Sequence, residues 1–247
     1  MATVKFKNIA IDDEVENLYD FIFDCGDWNK YVFKKHPGLE KALEFRIKKD
    51  RLEFIKKYAV EYWLKNKKTI EKNRREYEKN WKKIEKRFFT DLENIIGTEF
   101  PKNKTISAHI SINPICPRFL DKWSFNIFHK FNVKRSKEIV MHECCHFMYF
   151  KKWKEMFPEA KEKTFDSPHI IWHLSELAAP IILNDPKIQS YLKLKAGFYE
   201  EHEAVKIGGK TAPEFFEEIY KNSQNFEDFI KTAFRAIKKE KKIFFLH

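Results

Sequence analysis

The sequence predicts a mostly helical α+β fold: a small antiparallel sheet beside a helix bearing His142-Glu143-Cys144-Cys145-His146, a second helix bearing Glu176, and long N- and C-terminal helices. Three observations support this. Apolar residues recur at steps of three, four and seven from Phe45 to Ile95. Strict alternation of apolar and polar residues marks two stretches between residues 105 and 128. Only 6 glycines and 9 prolines interrupt 247 residues, so long helices are allowed. With 43% hydrophobic residues, including 25 Phe, the chain can build a real core in one large or two small domains, which excludes disorder as its main state.

Taken in order, Val4 to Ile9 reads as a short strand, and a helix starts near Asp12 or Asp13 with Val15, Leu18, Tyr19, Ile22 and Phe23 on one side. An amphipathic pattern runs through Phe45, Leu52, Ile55, Ala59, Tyr62, Trp63, Ile70, Tyr77, Trp81, Ile84, Phe88, Leu92 and Ile95. It thins near Asn66 to Thr69, so a break there is as good an expectation as one long rod; Gly97 and Pro101 end the element. Thr105 to Ile112 then alternates as a strand with one wet face, and Trp123 to Phe128 alternates again beyond the Asn113 to Pro117 turn. An antiparallel pairing joins the two most simply. Ser136 is an N-cap candidate for a helix from Lys137 to Phe157, closed by Pro158, and Ser167-Pro168 opens a helix to Leu183, with Pro180 as a kink candidate. A Gly208-Gly209 break and a capped start near Thr211 follow.

Net charge is +11, but it is localised. Glu44 to Glu93 holds 17 basic and 10 acidic residues, and Lys231 to His247 holds 6 basic and 1 acidic; the rest is nearly neutral. An acidic partner for these basic helices is one reading. Glu is interspersed, however, and the aromatic residues fall on the apolar stripe, which favours a solvated face. Four cysteines, two of them adjacent, read as reduced thiols. The longest nearly apolar run, Ile170 to Leu183, is too short and polar to span a membrane, and no apolar h-region follows Lys5 and Lys7, so a cytoplasmic home is expected.

The chemistry lies in the H-E-x-x-H pentapeptide. Histidines at i and i+4 share a helical face with Cβ atoms about 5–6 Å apart, a spacing that suits two bonds of about 2.0–2.1 Å to one Zn²⁺. Glu143, one residue on, can reach a metal-bound water without ligating. The metal lowers that water's pKa towards about 7 and polarises a carbonyl, while the carboxylate takes the proton and later returns it to the leaving nitrogen. A third ligand is required, and His169, His173 and Glu176 stand at i, i+4 and i+7 on the next helix. Glu176 sits among Leu174, Leu177, Ala178 and Ala179, where a carboxylate is costly unless paired or ligating. Cys144 and Cys145 rotate away from the two histidines and read as packing residues. His109 and His129 read as sheet-surface residues. Tyr199 and His202 are the downstream candidates for stabilising an oxyanion, with His173 or His169 as substitutes if neither ligates.

From residue 105 to 184 the order of sheet, HExxH helix and Ser-Glu-Leu-Ala helix resembles the gluzincin branch of the zincin-like metallopeptidases. That resemblance implies His142, His146 and Glu176 as zinc ligands, Glu143 as general base, and a peptide or protein as substrate. It also implies that the Thr105 to Ile112 strand is an edge available to pair with extended substrate. Two departures stand out. Thirty residues separate His146 from Glu176, and Pro180 stands where thermolysin-like members carry an Asp that orients a ligand. The metzincin third His is absent, since position 152 is Lys. The expected organisation is a helical region over 1–100, a zincin-like catalytic core over 101–186 and a helical region over 187–247 packing on it. The competing expectation is a basic helical nucleic-acid-binding protein with a structural or inactive zinc site.

Overall fold

A computed structural model describes residues 2–193 and 195–239. The chain divides into two compact units that are discontinuous in sequence. One comprises Thr3–Glu85 and Asn103–Val140; the other takes in Lys86–Lys102 and the chain from Met141 onward. The architecture is mostly helical α+β with a small sheet, as predicted.

The first unit holds β1 (Val4–Asn8), α1 (Ile11–Tyr19), α2 (Asn29–Lys35), α3 (Lys48–Lys82), β2 (Ile106–Ser111), β3 (Arg118–Phe119) and β4 (Ser124–Phe128). The strand order is β1-β2-β4-β3. Both pairings of β2 are parallel, Val4 facing Ile106 on one side and Ser107 facing Ser124 on the other; only β3 and β4 are antiparallel. This corrects the antiparallel expectation: β3 intervenes after the Asn113 to Pro117 turn, so the chain reverses twice before β4. Alternation reports which face is buried and is silent on strand direction. The strand expected to be an edge is therefore central. Its backbone groups are engaged on both sides, so β2 offers no ladder to an extended substrate.

Of the two expectations for Asn66 to Thr69, a break or a continuous helix, the second holds: α3 runs unbroken there. The Asn66 side chain donates to the Tyr62 carbonyl one turn back (2.8 Å), Ile70 is buried, and no Gly or Pro intervenes. The chain turns instead at Lys83 and Ile84. There the Glu85 carboxylate accepts from Trp81 Nε1 (2.9 Å) and the Val4 amide (2.7 Å).

Beneath α3, Glu14 is fully buried and accepts from Ser111 Oγ (2.6 Å), the Ile112 amide (3.0 Å) and Trp63 Nε1 (3.2 Å). These bonds fix α1 and α3 to the end of β2. His36 bridges Tyr58 (2.9 Å) and the Ile112 carbonyl (2.8 Å), and His129 meets Tyr62 (3.2 Å) while its carbonyl accepts from Asn73 and Tyr77. His129 was expected on the sheet surface and is fully buried, and His109 is half-buried. The residue types were visible in sequence, but their cover, a helix more than fifty residues away, was not.

The second unit is helical: α4 (Glu85–Ile96, from Lys86), α5 (Val133–Met156, from Met141), α6 (Ile170–Leu183), α7 (Pro186–Leu192), α8 (Glu200–Ala204), α9 (Ala212–Asn222) and α10 (Phe226–Lys239). Gly97, at φ 69°, ends α4 as predicted, with the Gly97 and Thr98 amides both reaching the Glu93 carbonyl. α5 starts earlier than read: Asn132 Oδ1 accepts from the Arg135 amide (2.8 Å), whereas Ser136 is buried and donates to Val133. α6 begins at Ile170, capped by the His169 side chain, and continues past Pro180 to Leu183. Gly208 and Gly209, both at positive φ, turn the β5 (Lys206–Ile207) and β6 (Lys210–Thr211) hairpin, and Thr211 with Glu214 forms the expected capping box. Edge-to-face contacts of Trp153 with Phe234 (4.8 Å) and Tyr149 with Phe226 (6.3 Å) seat α10 on α5. Of the C-terminal basic segment, residues 240–247 lie outside the described residues. No described helix is long and apolar enough to cross a membrane.

Two outcomes are expected for the first unit. Glu14→Gln replaces one accepting oxygen by an NH2 donor that faces other donors and should lower stability by about 1–3 kcal/mol in urea unfolding. Burial, reinforced by the Lys130 charge, pushes His129 down to about 4 from an ordinary 6.5. The unfolded chain then binds the proton first, so stability should fall as pH drops from about 6.5 through about 4. His129→Gln should flatten that part of the stability profile.

Candidate metal centre

The second unit brings together His142, His146 and Glu176, one ligand atom from each. α5 supplies the first two a turn apart, their rings 4.6 Å between centroids and 77° inclined. α6 supplies the third. Every residue of α6 from Ile170 to Leu183 except Trp172 is buried, so Glu176, 3% exposed, lies in a helix that is apolar almost all round. An isolated carboxylate is strongly disfavoured there and is stabilised only by cationic or metal partners.

The spacing is that of one coordination sphere. His142 Nε2 lies 2.9 Å from His146 Nε2 and 3.2 Å from Glu176 Oε2, and His146 Nε2 lies 3.3 Å from the same oxygen. Donors bound at about 2.0–2.1 Å to one tetrahedral ion stand about 3.3–3.4 Å apart, so the nearly equilateral triangle fits one metal ion with little adjustment. Two nitrogens and a carboxylate oxygen suit a divalent transition metal better than magnesium or calcium, which prefer an all-oxygen shell. The His146 side chain is fully buried and that of His142 is 19% exposed, so solvent reaches the cluster on the His142 side.

Packing holds these donors in place. Phe150, one turn beyond His146, stacks near its imidazole (6.2 Å, 21°) and is backed by Phe165 (4.6 Å). Met141, Cys144, Cys145 and Met148 are fully buried, and no disulfide is formed among the described residues. Burial first, and the Glu143 charge second, push the Cys145 thiol well above its ordinary range, so it is protonated and a poor metal ligand. Glu143 is buried next to His142 and outside the ligand triad.

Among the alternatives for third ligand, the structure gathers Glu176 with the two histidines; His169 caps α6, its Nδ1 accepting from the Ile171 amide at 3.2 Å. His173 Nδ1 faces His202 Nε2 at 3.1 Å. Burial, aided by His173 and opposed by Glu176, pushes His202 down to about 4, and burial likewise lowers His173. Both are neutral at pH 7, so one imidazole donates to the other. His202, 2% exposed, is not the surface residue its sequence context suggests. Tyr199, 39% exposed, lies beside it at 5.8 Å between rings, and Trp172 stands between His173 (4.9 Å) and Tyr199 (6.4 Å). Trp172 went unnoticed in sequence, where it is one more apolar residue of the Ile170 to Leu183 run; it is the one residue of α6 that is not buried.

A metal supplied at about 100 times its Kd should stabilise the native protein by about 2.7 kcal/mol. His146→Ala should abolish both that increment in calorimetry and the bound metal in elemental analysis. No protein-family model, no curated protein and no solved structure matches this chain, so the site stands on its own geometry.

Proposed function

We propose that the chain is a zinc-dependent metallopeptidase, in which His142, His146 and Glu176 hold the metal and Glu143 is the general base. The observation that supports it most is the near-equilateral triangle of His142 Nε2, His146 Nε2 and Glu176 Oε2, with an acidic residue directly following the first histidine. Two histidines and a glutamate with solvent access on one side form the three-ligand set used by hydrolytic zinc, whereas structural zinc sites are closed by a fourth protein ligand. Zinc bound there would supply Lewis acidity, polarising a carbonyl and making water acidic near neutral pH.

The chain's own groups divide the remaining work. His142 and His146 would hold the metal through Nε2 and Glu176 through its carboxylate, the one negative charge of the ligand set. Glu143 accepts the proton of the attacking water and returns it to the leaving amine. Of the two oxyanion candidates, Tyr199 is the accessible one, while the Nε2 of His202 is engaged by His173.

Elemental analysis of the purified protein should find about one zinc per chain. Glu143→Gln should keep that zinc and lower cleavage of a peptide library, read by mass spectrometry, by about 10²–10⁴-fold. Native protein that binds no divalent metal, or a Glu143→Gln variant that cleaves as fast as the native protein, would defeat the reading.

A further inference from the structure

Six of the thirteen basic residues of α3 form one stripe along its C-terminal half. Lys65, Lys68, Lys72, Arg75, Lys79 and Lys82 follow one another at steps of three and four, and all are exposed. On a helix of 3.6 residues per turn they fall within an arc of about 100° and extend over about 26 Å. The opposite side holds the buried Ile70, Tyr77 and Trp81. The glutamates that look interspersed in sequence are mostly elsewhere: Glu71 and Glu78 lie on the flank, tied to Arg74 at 3.2 and 3.5 Å. Glu71 and Glu76 border the stripe on its two sides, and Glu61 stands one turn before Lys65 in line with it. Lys82 pairs with Glu85 (2.6 Å); Lys65, Lys68, Lys72, Arg75 and Lys79 have no ion pair among the described residues.

Like charges at i,i+3 and i,i+4 repel and weaken a helix. A helix that needs only solubility mixes its signs, as the flank around Arg74 does. An unmixed row complements a linear polyanion. The apolar face of α3, with Ile55, Ala59, Ile70, Tyr77 and Trp81 buried, is committed to the protein's own core. It is not free to enter a bilayer as an interfacial helix must. The stripe carries no aromatic side chain on which unpaired bases could stack. Phosphate contact alone remains, and duplexes present phosphates most densely, at about one charge per 1.7 Å.

We propose that the Lys65 to Lys82 face of α3 docks along the phosphate backbone of double-stranded nucleic acid without reading its sequence. This second activity is independent of the metal centre.

The test is fluorescence anisotropy of the full-length protein with labelled 20-base-pair DNA and RNA duplexes, titrated between about 50 and 200 mM salt. Five or six phosphate contacts give an expected slope of log K on log salt near −5, unchanged when the base sequence is scrambled. The triple variant Lys68→Gln, Lys72→Gln, Arg75→Gln should make the slope shallower by about 2.7, with an unchanged helical circular dichroism spectrum. The control triple Lys34→Gln, Lys35→Gln, Lys41→Gln removes the same net charge from exposed positions off the stripe and should leave the slope as it was. The proposal is overturned by any of four results: no duplex binding at about 50 mM salt, an unchanged slope in the stripe variant, an equal loss in the control, or binding to phosphatidylserine vesicles in place of duplex.

Discussion

A carboxylate inside an apolar helix is the constraint on which the candidate centre depends. Glu176 is enclosed by the side chains of α6, and its negative charge is tolerable only where positive charge or a metal meets it. The two imidazoles of α5 provide that meeting point. Phe150 and Phe165 beside His146, and the aromatic contacts of Tyr149 and Trp153 with α10, hold α5 while it does so. Chemistry and packing are therefore the same problem in this unit.

The first unit solves a similar problem without a metal. Burial raises the pKa of Glu14, and three donors from β2, the residue after it and α3 oppose the rise. Both buried acids come from short helices and sit beneath longer ones. One is satisfied by hydroxyl, amide and indole hydrogens, the other by the convergence of two imidazoles. That difference in partners marks the second acid, and not the first, as a place where an ion can be held.

What was legible in the sequence follows periodicity. The HExxH spacing, the period of α3, the Thr211 cap and the glycine turns are local patterns, and each appears close to where it was read. Glu176 was legible because its neighbours are apolar. What escaped was set by distant chain segments: the parallel pairing of β2, the burial of His129 under α3, and the contact between His173 and His202 across 29 residues. The break after Lys82 escaped for a related reason, since the Glu85 carboxylate stabilises it through a strand eighty residues earlier. The segregation of charge on α3 lay in between: it can be worked out once the helix is known to be continuous, and is hidden while a break is allowed.

Pro180 gives α6 a property that its smooth course conceals. Proline has no amide hydrogen, so the bond that position 180 would normally make to the Glu176 carbonyl four residues back is missing from the ladder. The turn bearing Glu176 lacks that one backbone bond, and the neighbours packed around it contribute the more to its position. The three donors that could hold a metal ion are therefore mounted differently, His142 and His146 on the proline-free α5 and Glu176 on a helix whose ladder a proline interrupts.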